Sequence, residues 1–386
     1  MKTVSQSAMP SLNCTPAKQS GFSLIELMIA SVIGLVLLGG VVTIFTSNSA
    51  SSKMSSGLTR IQDSGRVAID ILSYNVRMAG YEGCRDEAKE NIEVVASVAP
   101  TINFPDEALW GAEIDGTGNW TTPTPHPDLV NLPSLIDLKE NSDVLYVQHG
   151  SGRSVNLQND MVSAADDIVL PRNPDQITAG DLVMIADCGI SNVFRATDVS
   201  VSNTGVTTIQ HGTGKNIQAS LSEAFSGTGG IDTVSVRVMR FESKAYFVGD
   251  SGRTTPDGNT IWSLFELDTS TEDAPANRQP VELIEGVESF KVLYGVRPDE
   301  ETDSDIRYVT ADNVIDSAQI VSVQLGLLIG TADNSAQSND NQSYNIAGWT
   351  IGPPGENTDD NHEGDRRIRA AFNATVQIRN RSIDRI

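Results

Sequence analysis

Residues 18–45 read KQSGFSLIELMIASVIGLVLLGGVVTIF, and the predicted fold depends on this stretch. Glu26 is the only charged side chain between Lys18 and Lys53. The 24 residues 22–45 are almost wholly apolar, and about 20 apolar residues in a helix are enough to cross a bilayer. The stretch therefore predicts a membrane-spanning helix. A carboxylate near its start is costly unless it is paired, which makes Glu26 a functional candidate.

The junction at the start of this run carries a resemblance. Residues 21–26, GFSLIE, resemble the type III signal of type IV pilins and their relatives. The resemblance implies that a prepilin peptidase cuts after Gly21 and methylates Phe22, so that Glu26 becomes the fifth residue of the mature chain. The α-amino group of a neighbouring subunit would then neutralise Glu26 in an apolar filament core, because an unpaired buried carboxylate is expensive.

The same stretch has two other interpretations. A cleaved secretory signal has an apolar region of about 7–15 residues followed by its cleavage site. Here the apolar run is longer, contains a glutamate and follows its expected cut site. An ordinary single-pass anchor remains the alternative to the pilin signal.

The charge balance excludes some classes of partner. The formal net charge is −23, from 27 basic and 50 acidic residues. Removing the leader, residues 1–21, takes away Lys2 and Lys18 and leaves 25 against 50, or −25. So acidic a chain is not expected to bind nucleic acid or anionic lipid head groups. Its acidic side chains are expected to keep an exported surface soluble.

Three cysteines are present. Cys14 lies in the leader and would be removed with it. Cys84 and Cys188 form an even pair in a segment expected outside the cytoplasm, which predicts a disulfide. The alternative, a metal-binding or catalytic thiol, lacks nearby His or Cys partners, and no cofactor or metal is expected.

The pattern of the remaining chain predicts an α+β fold. Residues 22–80 are expected to form one long helix, transmembrane over 22–45 and amphipathic over 46–80, ending near Gly80. Its apolar face is formed by Met54, Leu58, Ile61, Ala68, Ile71 and Leu72. Residues 81–386 predict a large antiparallel β-rich head. Its candidate strands are 144–148, 167–170, 182–186, 193–197, 206–210, 233–241, 245–248, 262–266, 287–296, 320–329 and a last one over 375–378.

The segments between these strands carry further predictions. Residues 98–140 and 331–365 are rich in Pro, Gly, Asn and Asp and predict long loops. The acidic clusters at 299–305 and 359–365 lack the EF-hand spacing, so solvated loops are favoured over calcium sites. The basic segment 366–381 is expected to form internal salt bridges, with an acidic neighbouring molecule as the alternative.

One tetrapeptide, residues 249–252 (GDSG), is similar to the sequence around the nucleophile of chymotrypsin-like proteases. A serine nucleophile needs a histidine base and an orienting carboxylate. None of the four histidines has the sequence context of that family. A hairpin turn around Ser251 is therefore expected, and the chain is not expected to be an enzyme. A membrane-anchored enzyme remains the alternative.

The head also resembles a family. Asp143–Val147, Gly180–Cys188, Val193–Thr197 and Phe372–Arg381 are similar to stretches of PilW-type minor pilins. This resemblance implies a type IV pilin-like fold in an inner-membrane protein of a Gram-negative bacterium, with its head in the periplasm before it enters the pilus fibre.

The resemblance also implies partners and a function. The expected partners are prepilin peptidase, other minor pilins and the major pilin, with a tip adhesin as a further candidate. The expected function is that of a minor pilin in an assembly-priming complex, linked to adhesion and twitching motility. The alternative is a J-type pseudopilin of a type II secretion system.

Overall fold

The computed structural model describes residues 21–83, 92–102, 107–121, 125–187, 189–227, 236–297 and 305–380. The chain divides into two compact units, Met1–Ser52 and Lys53–Ile386. Helix α1 spans Leu24–Met78, 55 residues, and so contributes to both. It ends just before Gly80, whose φ of 74° is the left-handed conformation that glycine adopts at helix ends.

The second unit consists mainly of β-strands, with one further short helix, α2 (Leu132–Leu135). The strands are β1 Ile92–Val94, β2 Leu109–Ile114, β3 Ser142–Gly150, β4 Val155–Asn156, β5 Ile168–Leu170, β6 Leu182–Ala186, β7 Ser191–Arg195, β8 Asp198–Val201, β9 Thr207–Gln210, β10 Arg237–Thr254, β11 Thr260–Asp268, β12 Val281–Glu285, β13 Val287–Val296, β14 Arg307–Val309, β15 Ile320–Gly330, β16 Tyr344–Ile346, β17 Trp349–Gly352, β18 Asp360–Asn361 and β19 Arg369–Gln377. The predicted α+β fold, a long N-terminal helix followed by a β-rich head, is confirmed.

These strands form four sheets in the described part of the chain. The largest has the order β1-β7-β6-β10-β11-β12, and β3 and β4 also pair with β10 while β2 pairs with β3. A second sheet has the order β14-β13-β15-β19, and two small sheets have the orders β16-β17-β18 and β5-β9-β8. Neighbouring strands are antiparallel except in the β1–β7 and β17–β18 pairs.

The largest core joins α1 to the β14-β13-β15-β19 sheet. Apolar side chains of α1 (Ile61, Ala68, Leu72, Val76) pack with the inward side chains of β13, β15 and β19, among them Phe290, Val323, Leu325, Leu327 and Val376. The opposite face of this sheet is covered by the small β16–β18 sheet, where Leu328 packs with Ile346 and Ile351. The central strands β13 and β15 are therefore buried on both faces.

Several predicted segments differ from the structure. From Arg237 onward the separate strands expected at 233–241 and 245–248 form one strand, β10, because the polar residues between them are paired within the sheet. Ser243 is fully buried, and its Oγ lies 2.6 Å from the Tyr146 hydroxyl. Lys244 forms an ion pair with Glu242.

The two predicted long loops were wrong in part. Residues 98–140 contain β2 and α2, and residues 331–365 contain β16, β17 and β18. The hairpin turn expected around Ser251 was also wrong. Residues 249–252 lie within β10 at an irregularity in its pairing with β11, and the chain turns at 255–259 instead.

Candidate functional site

The residues of the predicted cleavage site lie directly before α1. Gly21 and Phe22 are outside the helix and exposed, Phe22 to 88%. A Cβ built on Gly21 would have no atom within 4 Å. Within Met1–Ser52 nothing in the described residues covers this junction.

Glu26 takes part in a capping box at the start of α1. Ser23 Oγ accepts a hydrogen bond from the Glu26 backbone N–H at 3.2 Å, and Glu26 Oε2 accepts from the Ser23 backbone N–H at 3.2 Å. This reciprocal pair satisfies two N–H groups that a helix start leaves without partners. The Ser-x-x-Glu spacing is visible in the sequence, but the sequence-based prediction concerned only the carboxylate.

The first half of α1 exposes its apolar side chains on all sides. From Leu24 to Phe45 the large side chains are 53–79% exposed. Within this segment the hydroxyl groups are satisfied by the helix itself, because Ser31 and Thr43 donate to the carbonyl oxygens of Leu27 and Gly39. A helix that is long and apolar enough to cross a membrane, with its polar groups paired internally, meets the requirements of a bilayer.

The second half of α1 buries one stripe of its surface. Ile61, Ala68, Leu72 and Val76 are at most 2% exposed. The predicted face was therefore correct at Ile61, Ala68 and Leu72, whereas Met54 and Leu58 are exposed. The error lies at the start of the half, where α1 has fewer neighbours in the head.

The closest approach of α1 to the sheet occurs at Gly65. A Cβ at this position would overlap the ring of Phe372 in β19. Gly57 has a similar though looser role, since a Cβ there would lie 3.1 Å from Thr331 Cγ2. Gly65 thus brings the helix close to β19, and Gly57 brings it close to Thr331 and Ile368, which flank β15 and β19.

A buried polar contact lies near the end of α1. Asn75 Oδ1 lies 3.0 Å from His149 Nε2, and His149 Nδ1 lies 3.0 Å from the Gly150 carbonyl oxygen. Burial lowers the pKa of His149, which favours the neutral imidazole. Neither residue was predicted from the sequence, because polar residues with this spacing have no distinctive pattern.

The basic segment near the C-terminus forms a buried charge network. Arg369 Nε lies 2.8 Å from Glu288 Oε2, and its two terminal nitrogens contact Asp340 and Asp365 at 3.2 and 2.7 Å. Arg367 Nε contacts Asp365 at 2.7 Å. The prediction of internal salt bridges is confirmed for these two arginines.

The network sets the charge state of two of its members. Burial by itself raises the pKa of Asp365, but the positive charges of Arg367 and Arg369 outweigh it and hold that pKa below its usual value. Burial likewise lowers the pKa of Arg369, and Glu288 and Asp365 outweigh it and hold that pKa above its usual value. Asp365 and Arg369 are therefore both kept charged.

Other predicted sites have mixed outcomes. Ser251 donates its hydroxyl to the Ile261 carbonyl oxygen at 2.5 Å. Asp365 belongs to the charge network, and Asp359 accepts a hydrogen bond from the Thr350 backbone. No cluster of metal-binding side chains occurs in the described parts of the chain. Cys84, Cys188 and residues 299–304 lie outside the described residues.

Comparison with known protein families matches two parts of the chain. Residues 16–42 match the model of the prokaryotic N-terminal methylation motif. An apolar N-terminal helix with this motif, followed by a β-rich head, defines a type IV pilin-like protein. Residues 245–380 match the family described as type IV pilus-assembly protein W, PilW. The two matches support a PilW-type minor pilin of the type IV pilus.

The PilW match covers a defined part of the fold. It begins within β10 and includes the whole β14-β13-β15-β19 sheet that packs on α1. Of the four stretches that resembled this family, residues 372–380 lie within the match, and the three between 143 and 197 lie outside it. No curated protein matches the chain.

Proposed function

We propose that this chain is a minor pilin that joins other minor pilins in a complex that primes assembly at the tip of a bacterial type IV pilus. The main support is the first half of α1, an exposed apolar helix with one carboxylate, Glu26. The exposed Gly21–Phe22 junction lies directly before it. The methylation motif over residues 16–42 supports processing by prepilin peptidase and assembly with other pilins.

The proposed mechanism is mechanical. Cleavage after Gly21 frees the α-amino group of Phe22, and methylation follows on the same nitrogen. Apolar helices then pack side by side, and Glu26 pairs with the α-amino group of a neighbouring subunit, because a carboxylate in an apolar filament is costly without a cation. The small residues Ala30 and Gly34 let helices approach closely.

The proposed location is supported by the same features. The chain is inserted in the inner membrane of a Gram-negative cell through residues 22–45, with residues 81–386 in the periplasm, and it then enters the pilus fibre. The oxidising periplasm favours a disulfide between Cys84 and Cys188. In this role the head supplies lateral specificity to the complex, and pilus biogenesis, adhesion and twitching motility depend on it without catalysis.

The first experiment is intact-mass and N-terminal peptide mapping of the protein from cells with and without prepilin peptidase. We expect a chain that starts at methylated Phe22 only where the peptidase is present. An intact Met1 in both strains would identify residues 22–45 as an ordinary membrane anchor, and a cut after Phe45 would identify them as part of a signal peptide.

A second experiment separates the pilus from the secretion alternative. Deletion of the gene is expected to abolish surface pili and to leave exported enzymes secreted. Enzymes trapped in the periplasm with normal pili would instead identify a J-type pseudopilin. A Glu26→Ala variant should be cleaved normally yet fail to enter pili, and a Ser31→Ala variant serves as its matched control.

A further inference from the structure

The strand at one border of the β14-β13-β15-β19 sheet, β19, has a free edge, that is, no second neighbouring strand among the described residues. The Ile378 N–H donates to the Val321 carbonyl oxygen, and the Thr331 N–H donates to the Ile368 carbonyl oxygen. In an antiparallel ladder the hydrogen-bonded pairs alternate with non-bonded ones. The even-numbered residues 368–378 therefore face β15, and the N–H and C=O groups of residues 369, 371, 373, 375 and 377 point away from the sheet.

These outward backbone groups have no partner among the described residues. Within them β19 pairs only with β15, and no hydrogen bond from another backbone or side chain reaches the outward groups. Proteins usually protect such edges with charges, prolines or bulges. Residues 370–378, AAFNATVQI, contain no charged residue and no proline, and their pairing with β15 is regular. In the described part of the chain, nothing hinders the pairing of another strand with this nine-residue edge.

A groove runs beside this edge. It has a volume of about 280 Å³ and lies between the last turns of α1 and β19. Tyr74 and Arg77 line it from the helix, and Ala374, Thr375 and Arg379 line it from the strand side. An extended chain added to β19 would lay alternate side chains into this groove, because side chains alternate between the two faces of a strand.

The charges of the groove indicate the chemistry of its occupant. Arg77 and Arg379 lie at its end, and neither forms an ion pair with any residue in the described segments. They differ in this from Arg367 and Arg369, which form ion pairs with Asp365 and Glu288. Asp70, two helical turns before Arg77, is likewise without an ion-pair partner there. The groove thus favours a strand that is acidic near Arg77 and Arg379 and basic near Asp70.

We propose that the free edge of β19 receives an extended β-strand from the head of a different pilin subunit, with an acidic side chain placed between Arg77 and Arg379. The proposal rests on the proposed function, since it names how this head recognises another pilin. Main-chain hydrogen bonds to β19 would supply affinity, and the groove would supply specificity.

A second copy of this chain fits the edge poorly. Antiparallel pairing of two β19 strands around Asn373 would place Arg379 of each copy opposite Arg367 of the other. Parallel pairing would place the two Arg379 side chains side by side. Parallel pairing is disfavoured because like charges directly opposite each other destabilise strand pairing. In the antiparallel pairing the opposing Arg367 is buried and already ion-paired with Asp365, and residues 370–378 offer Arg77 and Arg379 no acidic side chain. The occupant is therefore a different chain.

The test uses the full-length protein in piliated cells. A photoreactive amino acid at Gln377, an exposed edge residue, is activated by light, and its products are identified by mass spectrometry. The measurement is repeated in a Thr375→Pro background. Because the Thr375 N–H points outward, proline there removes an edge donor and leaves the β15 ladder intact.

The matched control is Val201→Pro. Val201 lies in β8, the edge strand of a different sheet, and the Ser202–Val206 hydrogen bond places the Val201 N–H on the outward side. We expect a cross-link to another pilin that falls at least about tenfold in Thr375→Pro and is unchanged in Val201→Pro. Arg379→Glu should also lower the cross-link yield. If the Thr375→Pro protein fails to accumulate, Thr375→Lys is used in its place.

Two results overturn the proposal. One is a cross-link only to a second copy of the chain or to no pilin, and the other is a yield that Thr375→Pro and Thr375→Lys leave unchanged. The N-terminus of the unsubstituted protein is mapped in the same cells. A chain cleaved after Gly21 and present in pili, but without the Gln377 cross-link, refutes the edge-strand contact alone. An intact Met1 refutes the proposed function.

Discussion

The two halves of helix α1 share one backbone and differ in what surrounds them. In residues 24–52 the large apolar side chains are exposed on all sides. In residues 53–78 one apolar stripe is buried to 2% exposure or less, and polar side chains cover most of the remaining surface. The first half is suited to an apolar environment outside the chain, and the second half to one particular sheet of the same chain.

The glycines show the same contrast. A Cβ added to Gly34, Gly39 or Gly40 in the first half would have no atom within 4 Å, whereas one added to Gly57 or Gly65 in the second half would meet Thr331 or Phe372. A glycine in the first half leaves room for a neighbouring helix, and the space beside a glycine in the second half is already occupied. The residue type alone therefore does not reveal its role, and its position relative to β19 does.

The largest loss of stability is expected in the charge network at the start of β19, the strand that Gly65 contacts. Arg369→Met would leave Glu288, Asp340 and Asp365 buried with Arg367 alone. Removing one partner of a buried ion pair typically costs about 3–5 kcal/mol of the free energy of unfolding. Thermal unfolding followed by tryptophan fluorescence measures this loss at pH 7. Arg253→Met, which removes an exposed pair with Glu282, should cost at most about 1 kcal/mol.

The stability lost in Arg369→Met should also depend on pH. The pKa of Asp365 lies below its usual value because Arg367 and Arg369 outweigh the effect of burial. Its contribution to stability is therefore complete above the ordinary aspartate pKa of about 3.9. That contribution is lost as the pH falls through the lower pKa of the folded state. The difference between the unsubstituted protein and Arg369→Met should shrink in that acid range, and a constant difference would refute the network.

The next effect tests burial in the two halves directly. Leu72 is fully buried, whereas Leu38 is 62% exposed. Leu72→Ala should lower the free energy of unfolding of the head by about 2–5 kcal/mol. Leu38→Ala should leave it unchanged, because residue 38 makes no contact that head unfolding breaks. Denaturant titration of both full-length variants in detergent gives the comparison, and equal losses would remove the distinction between the halves.

A smaller effect is expected at the glycine contact. Gly65→Ala gains helix propensity of about 1 kcal/mol, but overlap with the Phe372 ring costs about 1–3 kcal/mol. The net change in the free energy of unfolding should be destabilising. Gly39→Ala, with open space around it, should show no such loss. In a double-mutant cycle Phe372→Leu should relieve part of the cost of Gly65→Ala, and strict additivity would show that the two residues do not touch.

The sequence predicted the parts of the fold that follow from periodicity. The apolar run, the helical stripe at Ile61, Ala68 and Leu72, and the glycine stop at Gly80 all reflect local chemistry, and each is present. The strands that were missed are short, such as β16–β18, or interrupted by polar residues, as in β10. There the decisive partners are distant in sequence, for example Tyr146 for Ser243, and no local pattern reveals them.

The candidate site was predicted to a similar extent. Gly21, Phe22 and Glu26 form a recognisable motif, and their roles remain proposals that peptide mapping tests. The close approach at Gly65 could not be predicted, because it depends on Phe372, more than 300 residues later. Within the basic segment Arg367 and Arg369 are ion-paired, whereas Arg379 has no ion pair among the described residues. This difference likewise depends on the tertiary positions of Glu288, Asp340 and Asp365.

The smallest effect concerns the start of the first half, where the helix has no tertiary contact in the described residues to hold it. Ser23 and Glu26 therefore matter more than they would in a packed helix, because their side chains accept hydrogen bonds from each other's backbone N–H groups. Ser23→Ala should cost about 1 kcal/mol of local helix stability. Faster hydrogen exchange of the amides at 23–26 in the detergent-solubilised protein measures that loss. Ser31→Ala, which removes a hydroxyl that donates to the Leu27 carbonyl oxygen, should leave these rates unchanged. Equal rates in both variants would mean that the surrounding apolar phase, and not the cap, holds the first turn.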